Sequence, residues 1–108
     1  MKWACILGFK ATHEMPTSRI SESTRVLLQL LRQSRTLAGL TQVDMAGALS
    51  LKQSDVSKIE RGVRKIDVME LRRWAVAVGV PFEEFARELD ERWSQFERTH
   101  RYLAARRT

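Results

Sequence analysis

Apolar residues recur at every third or fourth position from about residue 21 onward, which is the period of an amphipathic α-helix. Five such stretches follow one another, separated by glycine or by short polar turns, and nothing alternates in the way typical of a strand. The first helix is predicted to begin near Ser21 or Ser23 and to end at Gly39. The pattern therefore predicts an all-α fold, a compact domain of five helices.

The second, third and fourth helices have start signals of their own. Thr41 with Asp44, and Asp67 with Glu70, have the three-residue spacing of a capping box at a helix N-terminus. Between them a third helix is predicted over about 53–61. The residues on the apolar side of these first four helices are expected to form the core. They are Val26, Leu27, Leu30, Leu31, Leu37, Met45, Ala46, Leu49, Val56, Ile59, Val68, Leu71, Trp74, Ala75 and Val78.

The fifth helix opens at Pro81, and its apolar stripe extends further than a small domain readily covers. The stripe comprises Phe82, Phe85, Leu89, Trp93, Phe96 and Leu103. Trp93, Phe96 and Leu103 are interpreted as a dimer interface, and the alternative is that this part of the helix folds back onto its own core. The chain is accordingly divided into an N-terminal extension (1–20), a central domain (21–90) and a C-terminal helical extension (91–108).

The N-terminal extension stands apart from the helical pattern. An apolar cluster at Trp3–Phe9 is followed by the loop-like segment THEMPTS. The favoured interpretations are an extension that is disordered or packs weakly, or a natural start at Met15. The alternative is a strand or helix at Trp3–Phe9 that contacts a second subunit.

Charge is unevenly distributed along the chain, whose formal net charge is +6 and whose pI is about 10.2. Between residues 25 and 66 there are eight basic and three acidic side chains, whereas residues 83–97 hold six acidic and two basic ones. A basic surface attracts nucleic acid, because contacts with phosphates supply most of its non-specific affinity. The basic part is therefore expected to face DNA, and the acidic part to face away from it.

Composition argues against several other classes of protein. Cys5 is the only cysteine, with His13 and His100 the only histidines, so neither a disulfide within the chain nor a metal site is expected. The acidic residues are dispersed and no glycine-rich phosphate loop is present, so neither catalysis nor a cofactor is expected. The apolar run at the start only mimics a signal peptide, and no stretch is long enough to span a membrane. A cytoplasmic protein is the expectation.

Residues 41–62 predict two short helices joined by a tight turn, with polar residues on the outer face of the second helix. That is the pattern of a helix-turn-helix, in which one helix braces another against base edges. Together with their surroundings, residues 25–89 resemble the Cro/C1-type (Xre family) helix-turn-helix repressors of bacteria and phages. The matching residues are Arg35, Gly39, Leu40, Thr41, Gln42, Met45, Ala46, Ser54, Val56, Ser57, Ile59, Glu60 and Gly62, followed by a helix at 68–78 and the segment GVPFEEF. The resemblance implies a lambda-repressor-like fold, double-stranded DNA as the partner and a role in transcription.

Three positions depart from the family pattern. Ser50 stands at a turn position often held by glycine, which costs up to about 1 kcal/mol if φ is positive there. Ile66 stands where a proline is common, and Lys52 where a capping serine or threonine is common. None of these changes removes a group expected to face DNA, and they concern turn geometry and stability.

The resemblance and the chemistry of the side chains together indicate the DNA contacts. The predicted base-reading residues are Gln53, Ser54, Ser57 and Lys58, and the predicted phosphate-binding residues are Gln42, Lys52, Arg61, Arg64 and Lys65. The resemblance also implies that Gln42 supports Gln53, and that Arg35 forms a partly buried ion pair with Glu60. Removing the carboxylate of that pair is expected to loosen the fold.

These features predict a sequence-specific DNA-binding regulator of transcription, encoded by a bacterium or phage. More specifically, we expect a repressor that acts as a homodimer on a palindromic operator. The alternative is the antitoxin of a toxin–antitoxin pair, which would bind a toxin protein through Trp3–Phe9 or the fifth helix and would regulate its own operon. A weaker third interpretation is an adaptor that contacts another transcription protein and uses its basic face only non-specifically.

Overall fold

Five α-helices follow one another in the computed structural model, which describes the backbone of residues 21–106 and the side chains of residues 21–98. The helices are α1 (Glu22–Leu37), α2 (Gln42–Leu49), α3 (Gln53–Glu60), α4 (Val68–Ala77) and α5 (Phe82–Arg106). No strand occurs within the described residues. The predicted all-α, five-helix fold with an extended C-terminal helix is confirmed. The predictions for the N-terminal extension concern residues that lie outside this range.

Helices α1 and α2 are capped at their N-termini by side-chain hydrogen bonds from residues that the sequence predicts. The Ser21 hydroxyl accepts from the Thr24 N–H at 3.1 Å. At α2, Thr41 Oγ1 accepts from the Asp44 N–H at 3.0 Å, and the Asp44 carboxylate accepts from the Thr41 N–H at 2.9 Å. The hydrogen bonds from Thr41 lower the pKa of Asp44. Each capped end satisfies backbone N–H groups that have no partner within the helix.

The core lies where the inner faces of all five helices meet. Its buried residues are Leu30, Leu31, Met45, Ala46, Leu49, Val56, Ile59, Trp74, Ala75, Phe85 and Leu89. Trp74 is completely buried, and its indole Nε1 donates to the Leu31 carbonyl at 3.2 Å and to Ser34 Oγ at 3.1 Å. The one polar atom of the largest core side chain therefore has partners on α1, and α4 is fixed against that helix.

Two apolar residues that the helical period predicts in the core are exposed instead. Leu37 is 43% exposed and Val68 is 68% exposed. Leu37 is the last residue of α1, so no further turn extends the packed face beyond it. Val68 is the first residue of α4 and, at about 100° per residue, lies about 120° around the helix from Trp74. The prediction that both face inward is wrong, because Leu37 stands at the end of the packed face of α1 and Val68 lies on a different side of α4 from Trp74.

The middle of α5 is held against α1 of the same chain. Trp93 is packed against the core, and its indole Nε1 donates to the Ser23 carbonyl at 2.9 Å. Phe96 is partly buried, and the side chain of Leu103 lies outside the described residues. For Trp93 the structure therefore shows the fold-back that was the alternative to a dimer interface. A dimer formed through this helix stays a prediction.

Candidate nucleic-acid interface

A tight turn connects α2 to α3. Ser50 adopts φ 57° and ψ 42°, and it is the only non-glycine residue with positive φ in the described chain. The next residue, Leu51, donates its backbone N–H to the Ala46 carbonyl at 2.9 Å. Ser50 thus takes the left-handed conformation that glycine adopts at lower cost. Ala46 itself is buried, and its small side chain lets α3 pass close to α2.

One side of α3 is buried and the other faces solvent. Val56 and Ile59 have no exposed surface, which fixes the helix against the core. Gln53, Ser54 and Lys58 are exposed. Three of the four predicted base-reading side chains are therefore exposed to solvent, on a helix whose other side is packed against the core.

The N-terminus of α3 begins without a side-chain acceptor at its cap, as the lysine at position 52 predicts. The Asp55 carboxylate instead accepts from the Lys52 backbone N–H at 3.2 Å. A carboxylate at this end also interacts favourably with the positive end of the helix dipole. Asp55 thus belongs to the start of the helix, and an acidic residue on this face has a structural reason to be there.

Basic side chains flank the exposed face of α3. Lys52, Lys58 and Lys65 are exposed, and none of them forms an ion pair with another described residue. Arg61 is exposed as well, and its Nε donates to Ser57 Oγ at 3.3 Å. No carboxylate among the described side chains neutralises these four cations. They therefore leave a positive potential around the helix, which suits an anionic partner.

Arg64, which the sequence also predicts to bind phosphate, is engaged with the protein. Its two terminal nitrogens donate to the Glu70 carboxylate at 3.0 and 2.9 Å. Hydrogen bonding by Arg64 lowers the pKa of Glu70, although burial acts in the opposite direction. The same contact raises the pKa of the Arg64 guanidinium. The pair joins the loop after α3 to the start of α4.

Glu70 has a second task at that helix start. Its carboxylate accepts from the Asp67 N–H at 3.1 Å, and Asp67 Oδ1 accepts from the Glu70 N–H at 2.8 Å. This is the capping box that the sequence predicts for α4. The loop that follows α3 is consequently anchored to α4 through a single acidic side chain.

A buried ion pair joins α1 to α3. The side chain of Glu60 has no exposed surface and that of Arg35 is 12% exposed. Arg35 Nε donates to Glu60 Oε2, and Arg35 Nη2 donates to Glu60 Oε1 at 3.0 Å. Arg35 Nη1 donates in addition to the Leu40 carbonyl at 2.9 Å, and Arg32 Nε lies 3.6 Å from Glu60 Oε1. This geometry fixes the C-terminal end of α3 relative to α1.

Two amide side chains connect the buried pair to the surface of α3. Gln42 Nε2 donates to Glu60 Oε1 at 3.1 Å. Gln53 Nε2 donates to Gln42 Oε1 at 2.7 Å. The support of Gln53 by Gln42 was implied by the family resemblance, but the bond from Gln42 to Glu60 was not. Sequence reasoning missed that bond, and the one between Arg64 and Glu70, because each joins residues of different elements without a characteristic spacing.

Within the described residues, no group of His, Cys, Asp or Glu side chains is placed to hold a metal ion. In the same part of the chain, no helix is both long and apolar enough to cross a membrane.

The exposed polar helix α3 follows a tight turn and packs against α2, and cations that no described carboxylate pairs lie beside it. This is the arrangement of a helix-turn-helix DNA-binding domain. The helix-turn-helix family model matches residues 31–85, about half of the chain. The chain therefore belongs to the helix-turn-helix family, in its Cro/C1 or XRE type, and is a DNA-binding regulator of transcription. The resemblance predicted from the sequence is confirmed, and double-stranded DNA is the partner that the family implies.

Two solved structures are similar to the chain. An XRE-family like protein from Pseudomonas syringae pv. tomato str. DC3000 is 33% identical over 64% of this chain and 84% of that chain, with a TM-score of 0.59. The clp gene regulator ClgR from C. glutamicum is 21% identical over 69% of this chain and 96% of that chain, with a TM-score of 0.57, and shares the fold. None of the curated proteins matches the chain.

Proposed function

We propose that this regulator is a repressor that binds a palindromic operator as a homodimer and reads the major groove with α3. The observation that supports this most is the exposed face of α3, on which the side chain of Gln53 is held at 2.7 Å by Gln42. A side chain held in one orientation loses less entropy when it binds a base. In a two-fold dimer the two copies of α3 would enter successive major grooves about one helical turn apart.

The proposed base contacts follow from the chemistry of the exposed side chains. Gln53 offers a carbonyl acceptor and a remaining N–H donor. These complement the N6 amino donor and the N7 acceptor that adenine presents in the major groove. Ser54 donates or accepts at several bases, and Ser57 keeps its hydroxyl proton while it accepts from Arg61. Lys58 reaches guanine or the backbone from one turn further along α3. Together these four residues would read a short half-site.

The proposed phosphate contacts surround that face. Gln42 lies at the start of α2, where helix N–H groups suit a phosphate and one N–H of its amide is still available. Lys52, Arg61 and Lys65 supply charge that no described carboxylate neutralises. We expect Arg64 to contribute less to phosphate binding than these three residues, because its terminal nitrogens already donate to Glu70.

The proposal is tested by fluorescence anisotropy of the full chain on DNA from upstream of its own gene and on scrambled DNA, over a salt series. We expect tighter binding to the upstream DNA, and we expect Gln53→Ala/Ser54→Ala to remove the preference while leaving the salt dependence. A matched control is Arg72→Ala/Arg73→Ala, which removes two exposed cations from α4. It should leave the preference intact. Equal, steeply salt-dependent binding to both DNAs would refute the proposal.

The repressor function further predicts that transcription from the bound promoter falls when the protein is added to a purified transcription reaction. An antitoxin role depends on Trp3–Phe9 or on the apolar stripe of α5. Since Trp93 of that stripe is already engaged with Ser23 of the same chain, no observation on the described residues favours that role over the repressor.

A further inference from the structure

We infer that Glu60, the buried last residue of α3, determines which base Gln53 selects, because it fixes the orientation of the amide groups of Gln42 and Gln53. The inference rests on the proposed function, in which α3 reads bases. Glu60 is then a positioning residue for specificity in addition to its part in the ion pair with Arg35.

Glu60 can act only as a hydrogen-bond acceptor in this setting. Its carboxylate is buried and receives hydrogen bonds from the Arg35 guanidinium on both oxygens. An ionised carboxylate has no proton to donate, so it only accepts. The amide of Gln42 next to it must therefore present its NH₂ group, and Gln42 Nε2 does lie 3.1 Å from Glu60 Oε1.

The orientation of the Gln42 amide in turn sets that of Gln53 at the surface. The oxygen and nitrogen of a glutamine amide have nearly the same shape, so packing alone does not select one of the two flipped orientations. With its NH₂ turned toward Glu60, Gln42 turns its carbonyl oxygen toward Gln53. Gln53 must in turn present its own NH₂ group, and the Gln53 Nε2 to Gln42 Oε1 distance of 2.7 Å fits that polarity.

The orientation of the Gln53 amide decides which base edge it complements. One N–H of Gln53 is occupied by Gln42, which leaves one donor and the carbonyl oxygen for DNA. Adenine presents one acceptor and one donor in the major groove, whereas guanine presents two acceptors. In the reversed orientation, Gln53 would receive a hydrogen bond from Gln42 and would keep both N–H groups free, which suits guanine. Glu60 therefore biases Gln53 toward adenine and against guanine.

The test is selection of binding sites from random duplex DNA by the full-length chain, followed by sequencing. Gln53→Ala identifies the position at which Gln53 acts, because the base preference there should disappear. At that position we expect wild type to prefer adenine over guanine by roughly tenfold or more. Glu60→Gln carries an amide that tolerates either orientation, so the preference should fall to about threefold or less, or shift to guanine. The other positions of the site should keep their preferences.

Arg35→Lys separates this role from that of the ion pair. It keeps the Glu60 carboxylate as an acceptor but removes the bidentate contact. We expect lower stability and lower overall affinity from this variant, with the adenine preference unchanged. If Arg35→Lys and Glu60→Gln changed the base profile alike, or if neither changed it, the inference would be overturned.

A measurement on the wild-type chain covers the case in which Glu60→Gln does not fold. NMR couplings across hydrogen bonds should link the Gln42 side-chain nitrogen to the Glu60 carboxyl carbon, and the Gln53 side-chain nitrogen to the Gln42 amide carbon. A coupling from the Gln42 nitrogen to the Gln53 amide carbon would show the reversed polarity and would overturn the inference.

A wild-type chain that selects no sequence refutes the proposed function, and the inference with it. A wild-type chain that selects a site, with an unchanged profile in Glu60→Gln, refutes the inference alone.

Discussion

Replacing Glu60 with alanine removes the group on which three hydrogen bonds converge. The carboxylate accepts from Arg35 on both oxygens and from Gln42 on one of them, and the side chain has no exposed surface. After the substitution the Arg35 guanidinium would remain in a mostly buried position without its counter-charge. The variant should therefore lose stability well beyond the effect of an ordinary surface substitution.

The size of the loss follows from how buried each partner is. Removing one partner of a buried pair costs about 3–5 kcal/mol, because the other charge is left uncompensated. Arg35 is 12% exposed and keeps its bond to the Leu40 carbonyl at 2.9 Å, so a value near the lower end, about 3 kcal/mol, is expected. A domain of this size has a total stability of about 5–15 kcal/mol. At about 4–8 °C per kcal/mol, Tm should fall by roughly 12–24 °C.

Thermal and urea unfolding followed by circular dichroism measure this effect. The matched control is Glu83→Ala, which breaks a surface pair whose atoms lie 3.8 Å apart, with the glutamate 86% exposed. It should change the free energy of unfolding by less than about 1 kcal/mol. Arg35→Ala/Glu60→Ala should be more stable than the sum of the two single losses predicts, because no charge is left buried. A Tm of Glu60→Ala equal to that of wild type would refute the reasoning.

Three further predictions concern other parts of the fold. The pKa of Glu70 is lower in the folded protein than in the unfolded chain, so its contribution to stability is present above the unfolded value of about 4.3 and is lost as pH falls through the folded value. Urea unfolding between pH 3 and 7 should therefore depend less on pH in Glu70→Gln, and parallel curves would contradict this. Ser50→Gly should raise stability by a few tenths to about 1 kcal/mol in thermal unfolding, since φ is 57° there, and a destabilised variant would show that the turn stores no such cost. Trp74→Phe removes the donor to Ser34 Oγ and one of the donors to the Leu31 carbonyl, which keeps its bond from the Ser34 hydroxyl, and should cost about 1–3 kcal/mol, whereas an unchanged urea midpoint would contradict the role of the indole bonds.

The helix starts were predictable because each depends on residues that are close in sequence. The hydroxyl of Thr41 and the carboxylate of Asp67 meet backbone N–H groups three residues on, so a short segment holds all the information. The family pattern also marked Ser50 as a turn position often held by glycine, and the structure has φ 57° there. Capping interactions of this kind depend on neighbouring residues and little on distant parts of the chain.

The remaining features depend on how distant segments meet. The stripe on α5 predicted an apolar surface, but only the packing of α5 on α1 shows that Trp93 reaches the Ser23 carbonyl. The hydrogen bond from Gln42 to Glu60 likewise depends on the angle at which α2 packs against α3, and the spacing of residues in the sequence does not predict that angle. The exposure of Val68 depends on which side of α4 the other helices cover. In each case the sequence supplies the chemical group, and the fold decides its partner.

We propose that α3 enters the major groove and presents Gln53 and Ser54 to base edges. Intermolecular nuclear Overhauser effects between the labelled chain and a selected duplex test this most directly. We expect contacts from Gln53 and Ser54 to cytosine H5 or thymine methyl protons, which lie in the major groove. Contacts from these residues only to sugar protons and adenine H2, or a DNA-bound surface centred on α4 or α5, would contradict it.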